Sequence, residues 1–165
     1  MCGEENFMLG KEVIMKELAE VDLEASTPFE VFEIMGKRFL EKGYVNETYL
    51  PSITERENNY PTALPVEPYP IAIPHTEGEA IVKPFIAPVR LKTPIPWGDM
   101  SDPDNKLDVK LAFMLGFNEP GAHIILLQIL MHNFQRQDWV DALFKAPTAD
   151  AFYDTVMDME WVYDE

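Results

Sequence analysis

Three histidines, His75, His123 and His132, are the chain's candidates for nucleophilic or acid–base chemistry. His75 stands directly after a proline at the end of a short apolar run, in "IAIPHTEGEA". Proline cannot continue a strand's hydrogen-bond ladder, so the next side chain is presented at the strand's tip. His123 opens "HIILLQILMHNF", just after Pro120 and Gly121. A helix start has unpaired N–H groups and a positive dipole end, which favour an anion. His132 falls late in the same run and reads as a surface or C-terminal helix residue. Together with Arg56 and Thr76, His75 and His123 have the makings of a phosphoryl-accepting site. A neutral imidazole offers a ring lone pair to phosphorus, and its unperturbed pKa of about 6.5 leaves it largely neutral near pH 7. The phosphohistidine carries up to two negative charges. An arginine at about 4 Å contributes on the order of 4 kcal/mol at an effective dielectric near 20. His123 and Thr76 could add hydrogen bonds. Sequence separation does not show that these residues meet. An ordinary structural role for each histidine, or a metal hydrolase using His75, His123 and carboxylates, stays open at this point.

Other chemistries find little footing. No phosphate-cradling glycine loop, HExxH, CxxC or GxSxG pattern is present, so the sequence implies no cofactor and no metal. Cys2 is the only cysteine and reads as an incidental thiol in a reducing compartment. No basic, apolar and small-residue leader opens the chain, and the run "IILLQILM" falls far short of the about 20 residues a bilayer requires. A cytoplasmic protein without membrane insertion is expected. The formal charge of −16 repels nucleic-acid phosphates and anionic lipid and would steer a basic protein partner.

The elements that must position these residues are read from periodicity. With 165 residues, 47% of them hydrophobic, one domain over 1–165 is expected. "EVIMKEL" reads as a short strand or a helix. "STPFEVFEIMGKRFLEKG" is a helix capped by Ser26 or Thr27, with Pro28 in its first turn and Gly43 at its stop. Phe29, Phe32, Met35, Phe39 and Leu40 form its core stripe. "NETYLPSITEREN" reads as a second helix opened by Asn46, with Glu55, Arg56 and Glu57 running into a loop. Five prolines make 60–75 extended, with "IAI" a buried strand. "AIVKPFIAPVRL" and "VKLAFMLGF" read as strands, the former pushed to an edge or bulge by Pro84 and Pro88. "KTPIPWGDMSDPDNK" between them reads as a polar loop. Three helices follow, the first apolar nearly all round, as if covered on two sides. The alternation predicts an α/β sandwich, with a mixed sheet flanked by helices.

The stretch "TERENNYPTALPVEPYPIAIPHTEGEAIVKPFIAPVRL" resembles the signature region of enzyme IIA of the fructose/mannitol class of the phosphoenolpyruvate-dependent sugar phosphotransferase system. That family shows an Arg-Glu pair, an aromatic-Pro-Thr-Gly segment and a strand ending in Pro-His. Here these are Arg56-Glu57, "YPTA" and "IPHT". The likeness runs from the capped helix after residue 26 to the last helix. "YPTA" and "GDMSDPDNKLDVKLAFML" look most like the galactitol-specific branch. The resemblance implies an α/β sandwich in which His75 accepts a phosphoryl group from HPr, stabilised by Arg56 and His123, and passes it to a cysteine of enzyme IIB. The sugar would receive it through the membrane component, enzyme IIC. HPr-type donors present basic surface, which suits the acidic charge. Ala63 departs from the usual Gly, so the local turn is expected to differ. Galactitol-type members vary at the position of His123. A regulatory enzyme IIA-like protein, whose phosphorylation state controls partners, is the alternative reading.

Overall fold

The structure, a computed structural model, describes residues 10–76, 78–119 and 121–163; Cys2 lies outside them. Within this range five strands and five helices are described. The strands are β1 (Glu20–Leu23), β2 (Ala63–Leu64), β3 (Ile71–Ala72), β4 (Phe85–Asp99) and β5 (Asp102–Gly116). The helices are α1 (Pro28–Glu41), α2 (Tyr49–Asn59), α3 (Ala122–Phe134), α4 (Gln137–Lys145) and α5 (Ala149–Met157). β1 lies parallel to β4, and β4 turns back into antiparallel β5. β5 pairs in parallel with β3, and β3 pairs antiparallel with β2. β2 then reaches the far end of β4 through Ala63 opposite Asp99.

The sheet is mixed, and side chains alternate between its faces with the period of two that strands impose. Phe85, Ala87, Val89, Ala112 and Met114 pack with Phe32, Met35, Phe39 and Ile53 of α1 and α2. Ile86, Leu111, Phe113 and Leu115 pack with Leu126, Ile129, Leu130, Trp139 and Phe152 on the opposite side. Helices therefore cover both faces, as the sequence led us to expect.

The capped helix forms as read. Thr27 accepts from Glu30 N, Glu30 accepts from Ser26 N, and Gly43 takes φ +83 beyond the last turn. Gly43 N donates to Leu40 O and Tyr44 N to Phe39 O, which closes the helix in a Schellman motif. Leu40 lies outside the buried stripe, at 47% exposed.

Several expectations are corrected. "EVIMKEL" forms two short 3-10 turns, Lys11–Val13 and Lys16–Leu18, and the first strand comes after it. β4 has partners on both sides, so its prolines do not make it an edge. Nor do Pro84 and Pro88 bulge it: Phe85–Arg90 pairs unbroken with Gly116–Leu111, Pro88 opposite Phe113. The register shifts come elsewhere, between Arg90 and Ile95 and in β1 at Glu20/Leu23, where Asp22 takes φ +57. The expected loop over 92–106 is a β-hairpin arm extending both long strands. Its polar look comes from exposed faces, while Ile95 and Trp97 point inward on alternate positions.

Tyr49, the first residue of α2, buries its hydroxyl with no hydrogen-bond partner among the described residues. A buried unsatisfied hydroxyl costs about 1–3 kcal/mol. Tyr49→Phe should therefore raise unfolding free energy by about 1 kcal/mol in urea titration. A loss of stability would show that the hydroxyl is used.

Candidate functional site

His75 is delivered by the β3 segment. Beyond the ladder, Ile73 N donates to Thr62 O, and Leu115 N donates to Pro74 O. The chain is thus held from both sides up to the proline, which has no N–H to extend the pairing. The imidazole lies back over its own backbone, with Nδ1 at 2.8 Å from Ile73 O. A carbonyl only accepts, so Nδ1 carries the proton and the lone pair of the neutral ring sits on Nε2.

His123 lies in the first turn of α3, after Gly121 at φ +82. Its ring stacks on that of His75, centroids 4.8 Å apart and 29° between planes. Phe117 meets it edge-on at 6.0 Å. Its Nε2 is buried without a hydrogen-bond partner among the described residues. Burial, then the neighbouring His75 ring and the Arg56 guanidinium, push its pKa down to about 4, so it is neutral at pH 7.

Arg56 stands on the last turn of α2 rather than in a loop, its guanidinium 5.5 Å from the Tyr60 ring centroid. The helix runs on because Pro51 occupies its first turn, where a missing N–H costs nothing, and it stops just before Pro61. Asn46 opens the segment two residues early, its carboxamide oxygen accepting from Thr48 N. Thr76 is buried, and its hydroxyl bonds to that of Ser52 on α2. His75, His123, Arg56 and Thr76 all line one cavity of about 690 Å³. His132 is elsewhere, bonded to Glu160 through Nε2 at 2.7 Å.

Two structural residues were not legible as such in the sequence. Glu57, next to Arg56, is buried and accepts from Thr62 N, Thr62 Oγ1 and Trp97 Nε1 at 2.8–2.9 Å. It fastens the end of α2 to the "YPTA" segment and to β4. Gly98 lets that segment approach: a Cβ there would lie 2.6 Å from Pro61 Cβ. Ala63 sits in β2 without a positive φ, so alanine in place of glycine introduces no left-handed turn. α3 is not covered all round: Ile124, Gln128 and His132, four residues apart, form an exposed stripe along it, with Ile124 66% exposed on the cavity rim.

The lowered pKa of His123 makes a pH prediction. Above pH 6.5 the ring is neutral in both folded and unfolded chains, and it contributes no pH dependence. Below 6.5 the unfolded chain binds a proton that the folded chain refuses, so stability is lost down to about pH 4. The effect should be about 2 kcal/mol, since water in the open cavity screens part of the shift. Urea unfolding at pH 7 and pH 4.5 should show a smaller drop for His123→Gln than for the parent. Equal drops would mean that His123 titrates normally.

An α/β sandwich that sets a stacked histidine pair and an arginine in one cavity has the parts of a phosphoryl carrier. The sequence matches the family described as phosphoenolpyruvate-dependent sugar phosphotransferase system, EIIA 2, over residues 12–158, and the chain belongs to that family. It is 30% identical over 118 residues to the PTS system galactitol-specific EIIA component of Escherichia coli K12, covering 72% of this chain and 78% of that protein. A PTS IIA domain from Streptococcus pyogenes superposes with TM-score 0.73 at 17% identity, covering 92% of this chain and 96% of its own. The solved complex of enzyme IIAMTL and phosphorylated enzyme IIBMTL from Escherichia coli matches with TM-score 0.70 at 20% identity, over 91% and 97% of the chains. Among the described residues no helix is long and apolar enough to cross a membrane. No group of three or more His, Cys, Asp or Glu among them could hold a metal ion.

Proposed function

We propose that residues 1–165 act as one cytoplasmic carrier domain, which takes a phosphoryl group from phospho-HPr on His75 and passes it to a cysteine of enzyme IIB. Through enzyme IIC that group serves uptake of a sugar or polyol, with galactitol the favoured cargo because of the galactitol-specific relative. The observation that carries this reading is the stacked His75–His123 pair, with Nδ1 of His75 tied to Ile73 O. That tie keeps the proton on Nδ1 and the nucleophilic lone pair on Nε2. Nε2 forms the new N–P bond while the N–P bond of the donor histidine breaks, and its electron pair returns to the donor ring. In the second step a IIB thiolate forms an S–P bond, and the pair of the breaking N–P bond returns to His75. Enzyme IIB as acceptor is supported by the solved IIA–IIB complex of the mannitol system.

Arg56 would neutralise the phosphoryl group, while His123 Nε2–H and the Thr76 hydroxyl would donate to its oxygens. Phosphoryl transfer asks for little beyond this positioning and charge stabilisation. Labelled phosphoenolpyruvate with enzyme I and HPr should place one acid-labile phosphoryl group on each chain. Addition of a galactitol-type enzyme IIB should then remove it. A parent chain that takes no label would overturn the reading, and label that IIB cannot remove would overturn the transfer role.

A further inference from the structure

The Thr76 hydroxyl is bonded to the hydroxyl of Ser52, a residue that no phosphoryl group in the cavity would touch directly. Thr76 follows His75 and lines the cavity at 2% exposed, whereas Ser52 stands behind it on α2. Ser52 is four residues before Arg56, so the two share one face of that helix. Two hydroxyls bring two protons, and only one can lie between them. If Thr76 donates, its proton is committed to Ser52, and only its oxygen lone pairs are left for an anion. If Ser52 donates, Thr76 keeps its own proton for another acceptor. Thr48 O, one turn back, accepts from Ser52 N at 3.1 Å and keeps a second lone pair, the kind of carbonyl to which a helical serine can turn its proton.

We propose that Ser52 is a positioning residue for phosphoryl transfer, turning its proton onto Thr76 when His75 is phosphorylated so that Thr76 Oγ1–H faces a phosphoryl oxygen. No covalent bond changes; two hydroxyls rotate. One face of α2 then reaches the phosphoryl group twice, through the Arg56 guanidinium and through the Ser52–Thr76 pair. This rests on the phosphocarrier reading of His75.

The test is steady-state phosphorylation by phospho-HPr together with the hydrolysis half-life of the isolated phosphoprotein. Ser52→Ala should lower kcat about five- to tenfold, the worth of one hydrogen bond, with KM for phospho-HPr unchanged. Its phosphohistidine should hydrolyse at an altered rate, and Ser52→Thr should restore both quantities. Adding Thr76→Val to Ser52→Ala should cost little more than Thr76→Val alone, because the pair acts as a unit. Parental kcat and half-life in Ser52→Ala overturn the proposal, even if the melting temperature falls. Fully additive losses in the double variant also overturn it. A parent that takes no label overturns the carrier reading itself, and this proposal with it; a labelled parent confines any failure to Ser52.

Discussion

Replacing His75 by glutamine is expected to reduce phosphoryl uptake to the background of the labelling assay. Glutamine matches the reach of the imidazole but carries an amide nitrogen whose lone pair is delocalised and cannot attack phosphorus. The loss should be chemical rather than structural. The hydrogen bond from Nδ1 goes to the backbone two residues back, and the ring faces the cavity, so little of the core depends on it. Circular dichroism and the melting temperature should stay close to the parent's. His123→Gln is the informative contrast. It exchanges the ring donor for an amide of different reach and orientation and leaves the nucleophile, so the rate should fall by up to about 100-fold without vanishing. If His75→Gln still takes the label and His123→Gln does not, the nucleophile has been assigned to the wrong ring. If both retain it, the cavity is not the site.

The parts of the structure that local chemistry dictates were legible. Thr27, Pro28 and Gly43 announce both ends of α1, and its buried Phe32, Met35 and Phe39 recur at helical spacing. The Pro74–His75 step also reads directly, because Pro74 has no N–H with which to extend the pairing of the preceding residues. What stayed hidden depends on distant partners. The arm over 92–106 is rich in Thr, Pro, Gly and Asp, which mark turns, yet it forms strands because each half satisfies the other's backbone. Its inward residues Ile95 and Trp97 did carry a two-residue period, obscured by the prolines beside them. The polar end of α2 shows no apolar stripe, so its sequence reads as a loop although Arg56 lies on the last helical turn. What holds that last turn is Glu57, whose partners lie 5 and 40 residues away. The Ser52–Thr76 bond spans 24 residues, with nothing in either neighbourhood to announce it.

Glu57→Ala is expected to give the largest loss of stability of any single change near the site. The Glu57 carboxylate is 5% exposed, and its Oε2 accepts from Thr62 N at 2.8 Å and from Trp97 Nε1 at 2.9 Å. Alanine leaves both donors buried without an acceptor, along with the space of the lost side chain. At about 1–3 kcal/mol for each orphaned group, the total is about 3–5 kcal/mol, a large share of the about 5–15 kcal/mol that holds a domain folded. The melting temperature should fall by about 10 °C or more. Glu57→Gln separates the network from the charge. Its carbonyl oxygen can still accept from Trp97 and Thr62 N, and its amide can donate to Thr62 Oγ1. It should cost no more than about 1 kcal/mol. Burial pushes the Glu57 carboxyl above its ordinary pKa, against the pull of its three donors. The folded chain therefore holds this proton more tightly than the unfolded chain does. The group adds stability at low pH and loses that contribution as pH rises through the folded pKa. Glutamine imitates the protonated carboxyl at every pH, so any cost of Glu57→Gln should shrink between pH 5 and pH 8 in urea unfolding. A cost that grows over that range would mean that the three donors outweigh burial, and that the carboxylate itself, not the neutral acid, fastens the Arg56 helix to the sheet.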